Sequence, residues 1–120
     1  MSGMDDLVQF LRDRLDEDEQ AARAATWDEQ SDVWTARPPQ ARYEQYIVAD
    51  YLDDGVVAVT PENADVDGVG QHIARHDPAR VLREVEAKRR ILDGPTTDTL
   101  IKLLALPYAD HADYQDTWRP

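Results

Sequence analysis

His72 and His76 stand four residues apart, and Asp77 follows directly. On a helix that spacing puts both imidazoles on one face at metal-bridging distance, with Asp110-His111 available from the tail. This is the raw material of a metal-dependent hydrolase built on His72, His76 and Asp77. The pattern lacks the glutamate of a metalloprotease helix, and it lacks the flanking histidine and distant aspartate of an HD-type phosphohydrolase. Asp77 is equally placed to cap a helix, and His76 to sit at the negative pole of the helix before it. With no third side-chain ligand at a clear spacing, His72 and His76 are expected to hold no metal, and no cofactor is expected.

A second constellation is cationic. Residues 75–90 hold Arg75, Arg80, Arg83, Lys88, Arg89 and Arg90 against Asp77, Glu84 and Glu86, within a chain of formal net charge -12. Helical spacing turns Arg80, Arg83 and Arg90 to one side, which makes them the candidate binding residues. No aromatic residues interleave with them for base stacking, and no glycine-rich phosphate loop is present. Their alternative employment is local pairing, or pairing with the acidic first helix. A third constellation is acidic: Asp16-Glu17-Asp18-Glu19 and the acids spread from Asp50 to Asp67 offer a phosphate-like surface of the kind a DNA-mimic inhibitor presents, or a solvated face. Glu84 and Glu86 do not face the same way, so they do not form a carboxylate metal site. Ser2 and Ser31 lie in terminal or linker sequence without a nearby base, which argues against a serine nucleophile.

Elements that position these residues are legible from periodicity and breakers. Ser2 with Asp5 forms a capping pair for a helix running to about Ala25, with Leu7, Val8, Leu11, Leu15 and Ala22 at helical spacing and Phe10 beside them. From Thr26 to Gln40 periodicity disappears, and Arg37-Pro38-Pro39 forces extended backbone. Trp27 and Trp34 are expected to dock on the core, with Val33-Trp34-Thr35 a short strand. Tyr43 to Leu52 and Val56 to Thr60 read as strands joined at Asp54-Gly55, a hairpin that the long helix covers or the Trp34 segment extends. Gln71 to His76 is a short helix. Asp77 as cap, Pro78 at the first position and Gly94-Pro95 as the stop predict a helix over 78–93 with Val81, Leu82, Val85 and Leu92 buried. Thr97 caps a last helix carrying Leu100, Ile101, Leu103, Leu104 and Leu106, ended by Pro107. Tyr108, Tyr114 and Trp118 should pin the tail.

One hundred and twenty residues make a single domain, 1–120, by the usual length relation. The predicted class is α+β: a long N-terminal helix, a small antiparallel β-hairpin or three-stranded sheet, and a C-terminal helical pair. Twenty-five Asp and Glu against thirteen Lys and Arg repel phosphates over the whole molecule, so duplex nucleic acid and anionic membranes are not expected partners. Zero cysteines exclude disulfides and thiolate chemistry. No basic stretch precedes an apolar run at the N-terminus, so no signal or transit peptide is expected there and the expected location is cytoplasmic.

Several runs also carry a resemblance: Met4-Asp5-Asp6-Leu7-Val8 with Phe10-Leu11-Arg12 and Arg14-Leu15-Asp16-Glu17-Asp18-Glu19-Gln20; His72-Ile73-Ala74-Arg75-His76-Asp77-Pro78 through Leu92; and Leu104-Ala105-Leu106-Pro107-Tyr108 through His111 with Trp118-Arg119-Pro120. The chain resembles domain of unknown function 6221, an actinobacterial and actinophage family. The resemblance implies no activity. It does imply a departure, since many members of that family carry a cysteine-rich insert resembling a small zinc knuckle where this chain has Asp93-Gly94-Pro95-Thr96-Thr97-Asp98.

Together the residues favour a small acidic, non-catalytic interaction or regulatory module that binds a protein partner, a second copy of the chain being one candidate. The alternatives from other classes are the metal-dependent hydrolase and the DNA-mimic inhibitor described above.

Overall fold

The computed structural model describes residues 3–28, 30–64 and 67–120, and its class is α+β. In chain order the elements are α1 (Gly3–Ala24), β1 (Thr35–Arg37), β2 (Ile47–Ala49), β3 (Gly55–Ala58), α2 (Pro61–Ala64), α3 (Gly68–Arg75), α4 (Pro78–Asp93) and α5 (Asp98–Ala105), followed by single 3-10 turns at Leu106–Tyr108 and Asp116–Trp118. Among the described residues no helix is long and apolar enough to cross a membrane. The chain forms two compact units, one of Met1–Gln20 with Arg83–Pro120 and one of Ala21–Leu82. The Ser2 cap lies outside the described residues, while Asp5 and Asp6 occupy the first turn of α1 as the helix dipole favours.

In the first unit, Leu7, Leu11 and Leu15 recur at four-residue spacing and are fully buried, with Phe10, Val85, Ile101, Ala105 and Trp118 completing the core. The tail is pinned as expected: the Trp118 ring stands 5.1 Å and the Tyr114 ring 6.0 Å from Phe10, close enough for edge and tilted aromatic contact. The connection between α4 and α5 supplies a hydrogen bond to each of the two helix ends. Gly94 donates its amide to Arg90 O at 3.1 Å, and the Thr97 hydroxyl accepts the Leu100 amide at 3.2 Å. Pro107 does not stop the chain abruptly, because it fits the first turn of the 3-10 segment that follows.

Burial depth departs from expectation at several positions. Of the four residues predicted to be buried on the 78–93 helix, Val85 is buried, whereas Val81, Leu82 and Leu92 are half-buried. Periodicity sets the side a residue faces; coverage depends on what the rest of the fold brings there. Leu82, in the second unit, borders an open cleft of about 280 Å³ with Arg23, Thr26, Asp28 and Asp32. On α5, Ile101 and Ala105 are buried but Leu100 and Leu103 are exposed, as is Leu106 in the 3-10 turn that follows.

In the second unit the sheet is antiparallel in the order β1-β2-β3, so the Trp34 segment does extend the hairpin. Strand β1 lies two residues later than the predicted Val33-Trp34-Thr35, pairing Thr35 with Ala49 and Arg37 with Ile47 of β2. Strand β2 is shorter than its apolar run because Asp50 interrupts it. Its buried carboxylate accepts the amides of Leu52 at 2.9 Å and Asp54 at 3.0 Å, folding residues 50–54 into the connection. Asp53 takes the left-handed conformation there, φ 63°. Gly55 therefore opens β3 and does not form the turn. Trp27 is corrected as well: it is 55% exposed, because its amide is fixed on the Ser31 hydroxyl at 2.8 Å while the indole faces outward. Trp34 is half-buried, its indole N–H donating to Ser31 O at 2.8 Å.

Helix α3 starts at Gly68, three residues before the predicted Gln71, and Gly70 is the reason it can pack where it does. A Cβ at Gly70 would overlap the ring of Tyr46, which is buried just ahead of β2. The Tyr46 hydroxyl donates to Asp67, so ring and helix start are fixed together.

Two stability outcomes follow from this packing. Gly70→Ala should destabilise by about 1–3 kcal/mol through overpacking against Tyr46, read by chemical denaturation. Val85→Ala should cost about 1–3 kcal/mol through lost burial and the cavity left behind, and Leu82→Ala distinctly less; equal losses would contradict the burial described.

Candidate functional site

The acidic run on α1 has partners within the first unit at all four positions. Asp16 and Glu19, three residues apart on one side of the helix, receive the two terminal nitrogens of Arg89 at 2.7 and 2.6 Å. Glu17 takes Arg14 at 2.9 Å, and Asp18 accepts the Tyr108 hydroxyl at 2.5 Å. Arg12 reaches Asp93 at 3.0 Å. Hydrogen bonding to Glu19 and then Asp16 raises the pKa of the Arg89 guanidinium above its ordinary value. Burial first, and the bond to Asp18 second, push the Tyr108 phenol well above the usual tyrosine range. The run is thus occupied by the fold and does not present a row of unengaged carboxylates.

Arg14 has a second role. Its guanidinium carbon lies 4.9 Å from the Phe10 ring centroid, and Nη1 lies 2.7 Å from Nε2 of His111. The Asp113 amide approaches Nδ1 of the same ring at 3.0 Å. A neutral imidazole has one lone pair, so the ring satisfies one of these two donors. Beside this cluster an open cleft of about 290 Å³ is lined by Asp6, Asp13 and Asp113 over Phe10 and Trp118.

The predicted arginines fall in different places. Arg83 and Arg90 belong to the first unit and stand exposed two turns apart on α4, with Arg90 holding Glu86 at 2.8 Å in a pair that is itself largely in water. Arg80 belongs to the second unit, where it is exposed and its Nη1 lies 3.4 Å from Arg75 O at the end of α3. Arg89, which was not singled out from the sequence, is the cation that meets the acidic helix. No local pattern marks it, because its partners lie 70 and 73 residues away.

His72, His76 and Asp77 are neighbours in the second unit but do not converge. Asp77 is buried; one oxygen accepts the Arg80 amide at 2.9 Å, which caps α4, and the other accepts the Trp34 amide at 3.1 Å. The histidines are exposed, their ring centroids 4.4 Å apart, and His76 donates Nδ1–H to His72 O at 2.8 Å. Among the described residues no group of three or more His, Cys, Asp or Glu is arranged to hold a metal ion. Ser31 is buried and fully occupied: its hydroxyl accepts the amides of Trp27 and Asp28 at 2.8 and 3.0 Å and donates to Asp28 O at 3.2 Å. Its spacing of three from Asp28 was a readable signal for that turn.

Removing the Tyr108 hydroxyl gives a test with a sign. As pH rises through about 10, the unfolded chain releases the tyrosine proton while the folded chain retains it, so stability falls with rising pH. Tyr108→Phe should cost about 1–2 kcal/mol at neutral pH and make the alkaline decline shallower, measured by urea denaturation from about pH 8 to 11.

No curated protein and no solved structure matches the chain. A family model described as a family of unknown function (DUF6221) matches residues 4–120, a span that takes in α1, the sheet, α4, α5 and the tail. With nearly its whole length matched, the chain belongs to this family of unknown function, DUF6221.

Proposed function

We propose that the chain is a non-catalytic interaction module whose α4 receives an acidic patch of a protein partner at Arg83 and Arg90. The observation that carries this reading is the division of the α4 cations within the first unit. Arg89 turns to Asp16 and Glu19, whereas Arg83 and Arg90 face solvent. Glu86 is a weak competitor for Arg90, since an exposed pair of this kind contributes about 0.3–0.5 kcal/mol, so a carboxylate on a partner can displace it. Arginine suits the task because its planar fork binds carboxylates with two parallel hydrogen bonds.

The net charge of -12 favours a compact acidic patch over a long polyanion, whose phosphates feel the repulsion of the whole molecule. At physiological salt that repulsion decays over about 8 Å, so a local contact at two arginines escapes much of it.

Arg83→Glu with Arg90→Glu should abolish capture of an acidic partner protein, while stability stays within about 0.5 kcal/mol of the unmodified chain because both side chains are exposed. Sedimentation of both forms at equal concentration asks whether that partner is a second copy. Should the unmodified chain instead shift a DNA duplex at physiological salt, with affinity falling steeply as salt rises, phosphate recognition replaces this reading.

A further inference from the structure

We propose that His72 and His76 form a two-histidine surface site for a divalent transition-metal ion of the nitrogen-preferring class, Cu(II), Ni(II) or Zn(II). The absence of a third ligand, which argued from sequence against a metal, excludes a closed structural site; a chelate of two imidazoles with its remaining positions open does not require one.

Three observations support the site. First, the two residues sit one helical turn apart, His72 in the last turn of α3 and His76 capping it, with ring centroids 4.4 Å apart on an exposed surface. Two ring nitrogens each about 2.1 Å from one ion lie roughly 3 Å apart, so chelation requires the exposed His72 ring to turn toward Nε2 of the held His76 ring. Second, the bond from His76 Nδ1–H to His72 O at 2.8 Å fixes the tautomer and leaves the Nε2 lone pair directed away from the backbone. Ligating histidines are ordinarily held in this way, with the other ring nitrogen donating to a carbonyl or carboxylate. Third, the pair stands at the C-terminal end of a helix, the negative pole of its dipole, which favours positive charge.

Asp77 is not a ligand, since both its oxygens accept backbone amides. The open positions fall to water or to a side chain of another molecule. Hard cations such as Mg²⁺ and Ca²⁺ select oxygen ligands and are not expected there. The site is independent of the arginines on α4 and stands or falls separately from partner binding.

The test is calorimetric titration of the tag-free full-length chain with NiCl₂ in a non-coordinating buffer, with His72→Ala, His76→Ala and His111→Ala in parallel and circular dichroism to confirm folding. The expected result is one Ni(II) per chain for the unmodified protein and for His111→Ala, with affinity at least about tenfold weaker in His72→Ala and in His76→Ala, since each removes one of the two ligands. No uptake by the unmodified protein, equal binding by all variants, or loss confined to His111→Ala would each overturn the assignment. Long-range proton–nitrogen NMR of the metal-free chain supplies a second readout: His76 protonated at Nδ1 is expected, and protonation at Nε2 would remove the preorganised lone pair on which the site depends.

Discussion

Twenty-five carboxylates around a small core create a self-repulsion that opposes compaction, and the fold places part of them against arginines and uses others as hydrogen-bond acceptors that set its turns. In the first unit, Asp16, Glu17, Asp18 and Glu19 divide Arg89, Arg14 and Tyr108 among them. In the second, Asp50 folds the hairpin connection, Asp67 holds the Tyr46 hydroxyl, and Asp77 joins the start of α4 to the segment entering β1. An ionised carboxylate accepting backbone amides forms stronger bonds than a neutral acceptor would, so Asp50 and Asp77 each fix a corner, while the pairs with Arg89 and Arg14 are the ones that offset charge. The apolar rows, Leu7, Leu11 and Leu15 above all, supply the bulk of the stabilisation, while the acids specify which turns meet them.

The same constraint sorts the cations. Arg89, with two acids in its fork, is held by a small network whose members restrain one another, and such a network loses less conformational freedom per contact than isolated pairs do. Arg83 and Arg90 are exposed on the same helix, and Arg90 holds the exposed Glu86 of its own helix. The difference between Arg89 and these two follows from which of the α4 cations meets the acids of α1 within the first unit.

Helix ends were the most legible features because their signals are local. Asp77-Pro78, Gly94-Pro95 and Thr97 act within a few residues of themselves, and all three bound α4 or α5 as read. Strand limits were less so, since Tyr43 to Leu52 looks uniformly β-forming until the Asp50 carboxylate, which a composition argument counts as a surface acid, bends the chain back on its own amides. Least legible were contacts set by distant chain. The link from Trp34 to Asp77 spans 43 residues, that from Tyr108 to Asp18 spans 90, and neither leaves a periodic trace. The imidazole pair shows the same limit within a legible motif: its spacing was plain from sequence, but the tautomer-setting bond and the separate employment of Asp77 required geometry.

The short connection between α4 and α5 bears on the family as well as on this chain. A cysteine-rich insert at that place would need a metal to close it, because a few residues without a core cannot hold a corner alone. Here the corner is held by the Gly94 amide on Arg90 O and by the Thr97 hydroxyl, which accepts the Leu100 amide, so each helix end has a partner close by in the chain. The family model spans this corner together with the exposed Arg83 and Arg90 of α4 and the imidazole pair at the end of α3, so each of these features lies within the matched region.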